Sequence, residues 1–441
     1  MSSYLNNVWV ATLLFPFIAA ALSLPYAIYQ YRRFGSISAW KTFLVFSFIF
    51  YLLCAYFMVI LPLPADRSAY YPSAATPQLN PFYALEIMWP ALERLSLTSP
   101  ASWWAFLRNP SVYTTLFNVL LTLPLGVYVR YLFERPWWQA LLAGFALSLF
   151  FEVSQVTGLF GIYAHPYRLF DVDDLITNTL GALIGSVVAL PLCRFLPRMD
   201  DVEERAIERG AAHTSFSRRL VAFAVDMAVT AVALAVLRFA FPTADDTAAG
   251  HIGQLMGATG IAFMLVPLLT RGQTVGHRAV GLRVVRPDGT TAPGISYIVR
   301  YGLLFWVFLL LPSWVAALFP AAGSPVLHLG DEVSISSAGI FAVLFSVYVT
   351  WVVTIAVRAV RSAFKHPFVM LNGIISNTRI MSVAQADRLR TARHEETLAE
   401  ELHELDIDPL GTDLDDAFDS SFDTTSADEG VDFDPEEQGH I

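Results

Sequence analysis

Nine long apolar runs constrain this chain more than any other feature. They lie at about 8–29, 42–62, 112–132, 138–159, 174–194, 220–241, 252–270, 299–319 and 338–357. Each reaches the roughly 20 residues that a helix needs to cross a bilayer. Backbone groups in hydrocarbon must bond within their own segment, so only helices and closed barrels span it. Barrel strands alternate apolar and polar residues, and these runs are continuous. The 441 residues are 55% hydrophobic and only 15% charged, too few charges to cover a soluble domain of this size. The expected fold class is an all-α polytopic integral membrane protein of about nine transmembrane helices. Membrane lipids are the expected surroundings, and no nucleic-acid partner is expected.

Basic residues give the orientation. Arg32, Arg33 and Lys41 follow the first run, and Arg130 and Arg135 the third. Arg194, Arg198, Arg205, Arg209, Arg218 and Arg219 follow the fifth. Arg271, Arg278, Arg283, Arg286 and Arg300 follow the seventh, and Arg358, Arg361, Lys365 and Arg379 the ninth. The loops at 242–251 and 320–337 have no Lys or Arg, but hold Asp245, Asp246, Asp331 and Glu332. The N-terminus is therefore expected outside and the C-terminus in the cytoplasm. The loop at 64–109 falls outside despite Arg67, Arg94 and Arg108, because basic residues in long loops constrain orientation less. The first run lacks a small-residue cleavage pattern and reads as a retained span. Cys54 and Cys193 fall near opposite faces, which excludes a disulfide framework.

The charge is unevenly spread. Residues 382–441 carry 19 acidic side chains and three arginines, whereas the rest of the chain has 25 basic and 19 acidic residues. Such a tail cannot bury a core and is expected to be disordered after a short helix over 383–404. It could dock a protein partner, but a solvated extension is the plainer reading. Four parts follow: spans in 1–195, a charged cytoplasmic linker at 196–213, further spans in 214–381, and the tail at 382–441.

Polar groups inside the apolar runs mark the candidate sites, because ionisable groups at membrane depth are costly. Ser148, Glu152 and Gln155 share one helix face, and Asp174, Asn178, Gly181 and Gly185 share another. Gly181 and Gly185 permit close backbone approach. The two polar faces should meet just below the outer surface, with Arg168 and the Asp171-Val172-Asp173-Asp174 run closing the pocket from the loop. Each aspartate could instead cap the next helix. Glu152 needs Arg168 as a partner, a raised pKa, or a ligand. No ligand spacing here is specific for a metal, so neither metal nor cofactor is expected.

These residues resemble the VanZ-like family of membrane proteins over roughly 40–195. The carriers are VILPLP, LFNVLLTLPLGVYVRYLF at 116–133, FEVSQ at 151–155 and YRLFDVDDLITNTLGALIG at 167–185. Asn118, Glu152, Gln155, Arg168, Asp171, Asp173, Asp174 and Asn178 match the family's polar pattern. The resemblance implies a role in low-level resistance to teicoplanin-type glycopeptides, in a bacterial plasma membrane.

In the second half, Arg219 and Asp226 lie seven residues apart on one face, and Arg300 begins a later span that could reach them. They form a candidate inner-face polar pair, with a structural ion pair as the plain reading. The stretch GQTVGHRAVGLRVVRPDGTTAPG reads as a strand over Ala279–Val285 followed by a Pro-Asp-Gly turn. The blocks RRLVAFAVD and TVGHRAVGLRVV resemble the RDD family over about 214–381. That family shows an aspartate where this chain has Asn372, and a lysine where it has His277. The resemblance implies transport-related roles, including cation/proton exchange.

Three functional readings follow. The first is an envelope protein whose outer pocket binds an amphiphilic or lipid-linked molecule and lowers susceptibility to teicoplanin-type glycopeptides. The second is a secondary transporter with Glu152 and Asp226 as carriers. The third is a metal-dependent enzyme on lipid-linked phosphates. No HExxH, GxSxG or Walker pattern occurs, which weighs against an enzyme. The apolar middles of the spans weigh against a continuous polar path.

Overall fold

The computed structural model describes residues 2–212, 214–242, 248–309, 327–328, 334–335, 337–363 and 371–404. Asp245, Asp246, Asp331, Glu332, residues 310–319 of the eighth expected span, and the 405–441 part of the acidic tail lie outside the described residues.

The apolar runs form helices. In the first half these are α1 (Ser2–Phe34), α2 (Ala39–Ile60), α3 (Pro110–Tyr131), α4 (Trp137–Val156) and α5 (Val172–Leu192). The linker forms α6 (Met199–Ala212). In the second half, α7 covers Phe216–Ala240. Next, α8 (Ala248–Gly260) continues through a π-helical turn, Ile261–Leu265, into Val266–Leu269. Then α9 (Gly294–Tyr301) continues as a π-helix to Leu309, α10 covers Ser337–Ala363, and α11 covers Val383–Glu404. Seven helices among the described residues are long and apolar enough to cross a membrane, by length and composition. The protein is an all-α polytopic membrane protein with almost no sheet.

Local sequence sets the helix starts. Pro110 opens α3 behind Asn109, whose side chain accepts from the Ser111 amide at 3.0 Å. Asp171 caps α5 by accepting from the Asp173 amide at 2.9 Å. Ser215 caps α7 in the same way through the Arg218 amide.

Glycines bring α3 and α5 into backbone contact. A Cβ on Gly126 would lie 1.9 Å from the Ala182 carbonyl oxygen, and one on Gly185 would lie 1.9 Å from that of Leu123. One on Gly181 would lie 2.2 Å from that of Val119. Thus Gly181 and Gly185 bind α5 to α3. The contact of α5 with α4 runs through a different glycine, Gly144, beside the Ala182 side chain.

The second half carries a small cap. Strand β1 (Leu282–Val285) pairs antiparallel with β2 (Arg379–Ser382), with Leu282 opposite Ser382. The strand is shorter than expected. Val275–Ala279 is a short helix instead, because Thr274 caps it through the His277 amide and Gly281 turns the chain at φ +67°. The Pro-Asp-Gly turn is present, with Asp288 accepting from the Thr290 amide at 3.0 Å. Helix α11 docks on this turn. Ala386 is fully buried, and Arg393 pairs with Asp288 at 2.6 Å. The 383–404 part of the acidic tail thus forms a helix that meets the cap through Ala386 and Arg393.

Helix α1 joins the halves. Tyr31 near its end is buried with Ala222, Val280 and Leu282 of the second half. Its hydroxyl donates to Ser217 Oγ at 2.8 Å. Arg218 donates to three backbone carbonyls, those of Val280, Gly281 and Gly35, at 2.8, 3.3 and 3.1 Å. Linker helix α6 closes on the same corner, where Gly210 meets Gly35 backbone to backbone and Lys41 pairs with Glu203.

Candidate functional site

The long loop between α2 and α3 marks one side of the molecule, and the linker marks the other. A cavity of about 530 Å³ opens on the loop side. It lies among the loop ends of α2, α3, α4 and α5, and Asn118, Glu152, Gln155, Arg168, Asp171, Asp174 and Asn178 all line it.

Helix α4 supplies Glu152 four residues before its end, roughly 6 Å in at 1.5 Å per residue. Glu152 is 2% exposed and accepts from the Asp171 amide at 3.0 Å. Among the described residues no ion pair joins it to Arg168. The guanidinium reaches past it, and Nη1 donates to the Val59 carbonyl at 2.8 Å. Gln155 donates to the same carbonyl at 3.0 Å. Both side chains thereby satisfy the frayed end of α2. Asn118 of α3 donates to Asp174 Oδ1 at 2.6 Å. Asn178 donates to Ser148 Oγ at 2.9 Å, while its own Oδ1 is buried without a partner.

Asp173 departs from this group. It does not line the cavity. Its two oxygens accept from the Phe82 and Ala84 amides at 2.6 Å each, at the start of the loop helix Tyr83–Glu93. Phe82 sits there in the left-handed region at φ 69°. Asp173 clamps the long loop onto α5. Beside it, Gln78 bridges to Asp171 through backbone bonds of 2.8 and 3.1 Å.

The cavity wall is acidic: Glu152, Asp171 and Asp174 stand against Arg168. Burial raises the Asp171 carboxyl above its ordinary range. Burial likewise pushes the Tyr167 hydroxyl up to about 12, and that hydroxyl lacks a partner. Sequence reasoning missed Tyr167. It lies next to Arg168, but no periodicity marks a half-buried loop tyrosine with an inward hydroxyl. Among the described residues no group of three or more His, Cys, Asp or Glu could hold a metal ion.

A second cavity of about 270 Å³ opens on the linker side, lined by Arg219, Asp226, Arg300, His277 and Asn372 among aromatic residues. Among the described residues no ion pair joins Asp226 to Arg219 or Arg300. Asp226 is 2% exposed, and its oxygens accept from Thr274 Oγ1 and the Gly276 amide at 2.6 Å each. Gly276 permits this approach, since a Cβ there would lie 1.9 Å from the Ala222 carbonyl oxygen. Arg219 donates to the Ile380 carbonyl at 3.2 Å, and Arg300 to Thr378 Oγ1 at 2.8 Å. The short helix at Val275–Ala279 thus takes the carboxylate that the arginines were expected to share. Burial, with Arg300 and Arg219 adding to it, drops His277 to about 3, so its imidazole is neutral. Arg218, the residue that clamps the halves, also escaped sequence reasoning, being adjacent to Arg219 in a basic run.

The two cavities have no lining residue in common. No curated protein and no solved structure matches the chain. Family models do match: VanZ/LLP1 over residues 48–194 and the RDD family over residues 213–364. The chain is therefore a multi-pass membrane protein in which a VanZ-like domain is followed by an RDD-family domain.

Proposed function

We propose that the loop-side cavity binds the polar head of an amphiphilic or lipid-linked molecule and thereby lowers susceptibility to teicoplanin-type glycopeptides. The protein acts in the plasma membrane, with the loop side outward and the linker side in the cytoplasm. One observation carries this reading: Glu152, 2% exposed and without an ion-pair partner among the described residues, lines an open polar cavity with Asp174 and Asn178. A buried carboxylate held by a single backbone amide is costly unless something else meets it. Three carboxylates against one guanidinium favour a donor-rich or cationic head. Exposed Trp89, Trp103 and Trp104 on the long loop suit the interface where such a head would lie. The separate cavities favour binding over passage of an ion from one carboxylate to the other.

The test is the ratio of teicoplanin to vancomycin susceptibility in bacterial cells lacking this protein, complemented with wild type or Glu152→Ala at matched membrane levels. Wild type is expected to raise teicoplanin tolerance, and Glu152→Ala to fall back toward the empty strain. Equal rescue by both would remove the pocket from the mechanism. Rescue by neither would remove the glycopeptide role.

A further inference from the structure

The linker-side cavity shares no described lining residue with the loop-side one, and a buried cation, Arg300, stands in its wall. Arg300 is 4% exposed, its Nη1 is bonded to Thr378, and its Nε is buried without a partner. Its acceptors there are uncharged. Asp226 is the carboxylate on the same wall, and Thr274 and Gly276 hold both its oxygens. Asn372 fills the facing position with a neutral amide, donating to the Arg300 carbonyl at 3.0 Å. His277 is 6% exposed, and its Nδ1 also lacks a partner. Among the described residues, Arg300 is therefore a buried cation whose hydrogen-bond acceptors are all neutral. A cation buried among neutral groups is costly, and an anion relieves that cost. The remaining wall is apolar, from Leu220 and Phe223 of α7 through Phe263 of α8 and Phe305 of α9 to Trp351 of α10. A small hydrated anion gains nothing from such a wall.

We propose that this cavity binds an anionic amphiphile, with the negative head at Arg300 and the apolar body along the α7–α9–α10 wall. Acidic membrane lipids and free fatty acids share this chemistry.

The full chain, purified in a neutral detergent, would be offered phosphatidylglycerol, phosphatidylcholine, palmitate or inorganic phosphate, and retention read by native mass spectrometry. Retention of phosphatidylglycerol or palmitate at least tenfold above the other two supports the proposal. Phosphatidylglycerol alone points to the bilayer as the source, and palmitate alone to free fatty acid. Asn372→Asp places a carboxylate beside the cations, and is expected to cut anion retention at least tenfold while the protein stays monodisperse. Arg300→Gln should cut it equally. The proposal falls if phosphatidylcholine or inorganic phosphate is retained as well as the anionic amphiphiles. It also falls if a monodisperse Asn372→Asp protein holds them as wild type does.

Discussion

Neighbouring aspartates in one short run do three separate jobs. Asp171 caps α5, Asp173 clamps the loop helix Tyr83–Glu93, and Asp174 faces the cavity beside Asn118. Helical geometry turns successive side chains by about 100°, so Asp173 and Asp174 could not share a target. The sequence reading instead places the whole run at the pocket, with capping of the next helix as the plainer role for each aspartate. The partner of Asp173 was not legible, because it lies 91 positions upstream in a loop without periodicity. His277 offers the pH test at this scale. Its folded value is about 3, below the ordinary 6.5, so the unfolded chain binds the extra proton. The stability of neutral burial is fully present above about pH 6.5. It falls by about 1.4 kcal/mol per unit as the pH drops toward the folded value. Melting temperature in detergent should therefore fall more for wild type than for His277→Gln between pH 7.5 and pH 5. Parallel curves would show that His277 does not titrate out of a buried neutral state.

At the scale of helices, close packing decides where the loop-side cavity lies. Gly126, Gly181 and Gly185 draw α3 onto α5, which puts Asn118 within 2.6 Å of Asp174. The spacing of Gly181 and Gly185 was readable as a close-contact face. Its partner was not, since lone Gly126 in TLPLGVYV forms no pattern of its own. The matching of polar faces on α4 and α5 was readable, and Asn178 and Ser148 meet at 2.9 Å. Gly185→Ala should force the two backbones apart and cost about 1–3 kcal/mol. Gly253→Ala in α8 is the control. A Cβ there meets nothing within 4 Å, and alanine favours a helix by up to about 1 kcal/mol. Thermal unfolding should separate the two, with only Gly185→Ala lowered. Equal melting temperatures would mean that α3 and α5 part without cost.

At the scale of the molecule, two halves share one corner. The linker's charge profile marked a boundary, and nothing in it announced that α1 crosses back. Tyr31 sits between Gln30 and Arg32, just past the first apolar run, where no pattern marks it as buried, and Arg218 reads as one of several positive-inside arginines. Only the folded chain brings Gly35, Gly210, Tyr31 and Arg218 together. Hydrogen bonds to charged groups contribute about 1.5–3 kcal/mol net each. Arg218→Ala should therefore loosen this corner and raise the protease cleavage rate within 199–212 at least tenfold, an opening change of about 1.4 kcal/mol. An unchanged digestion pattern would show that the corner holds without the arginine.

The Tyr31–Ser217 bond joins residues 186 apart along the chain. Synthesis at about 5–20 residues per second makes that interval roughly 10–40 seconds. During this time the end of α1 exists with no α7 to receive it, and its apolar face lies against lipid or whatever insertion machinery surrounds it. Helix α1 can meet α2 early, but its end reaches α7 only after Ser217 has been made. Gly126, Gly181 and Gly185 all precede Ser217 in the chain, so the α3–α5 contact is available before the corner at Tyr31 is.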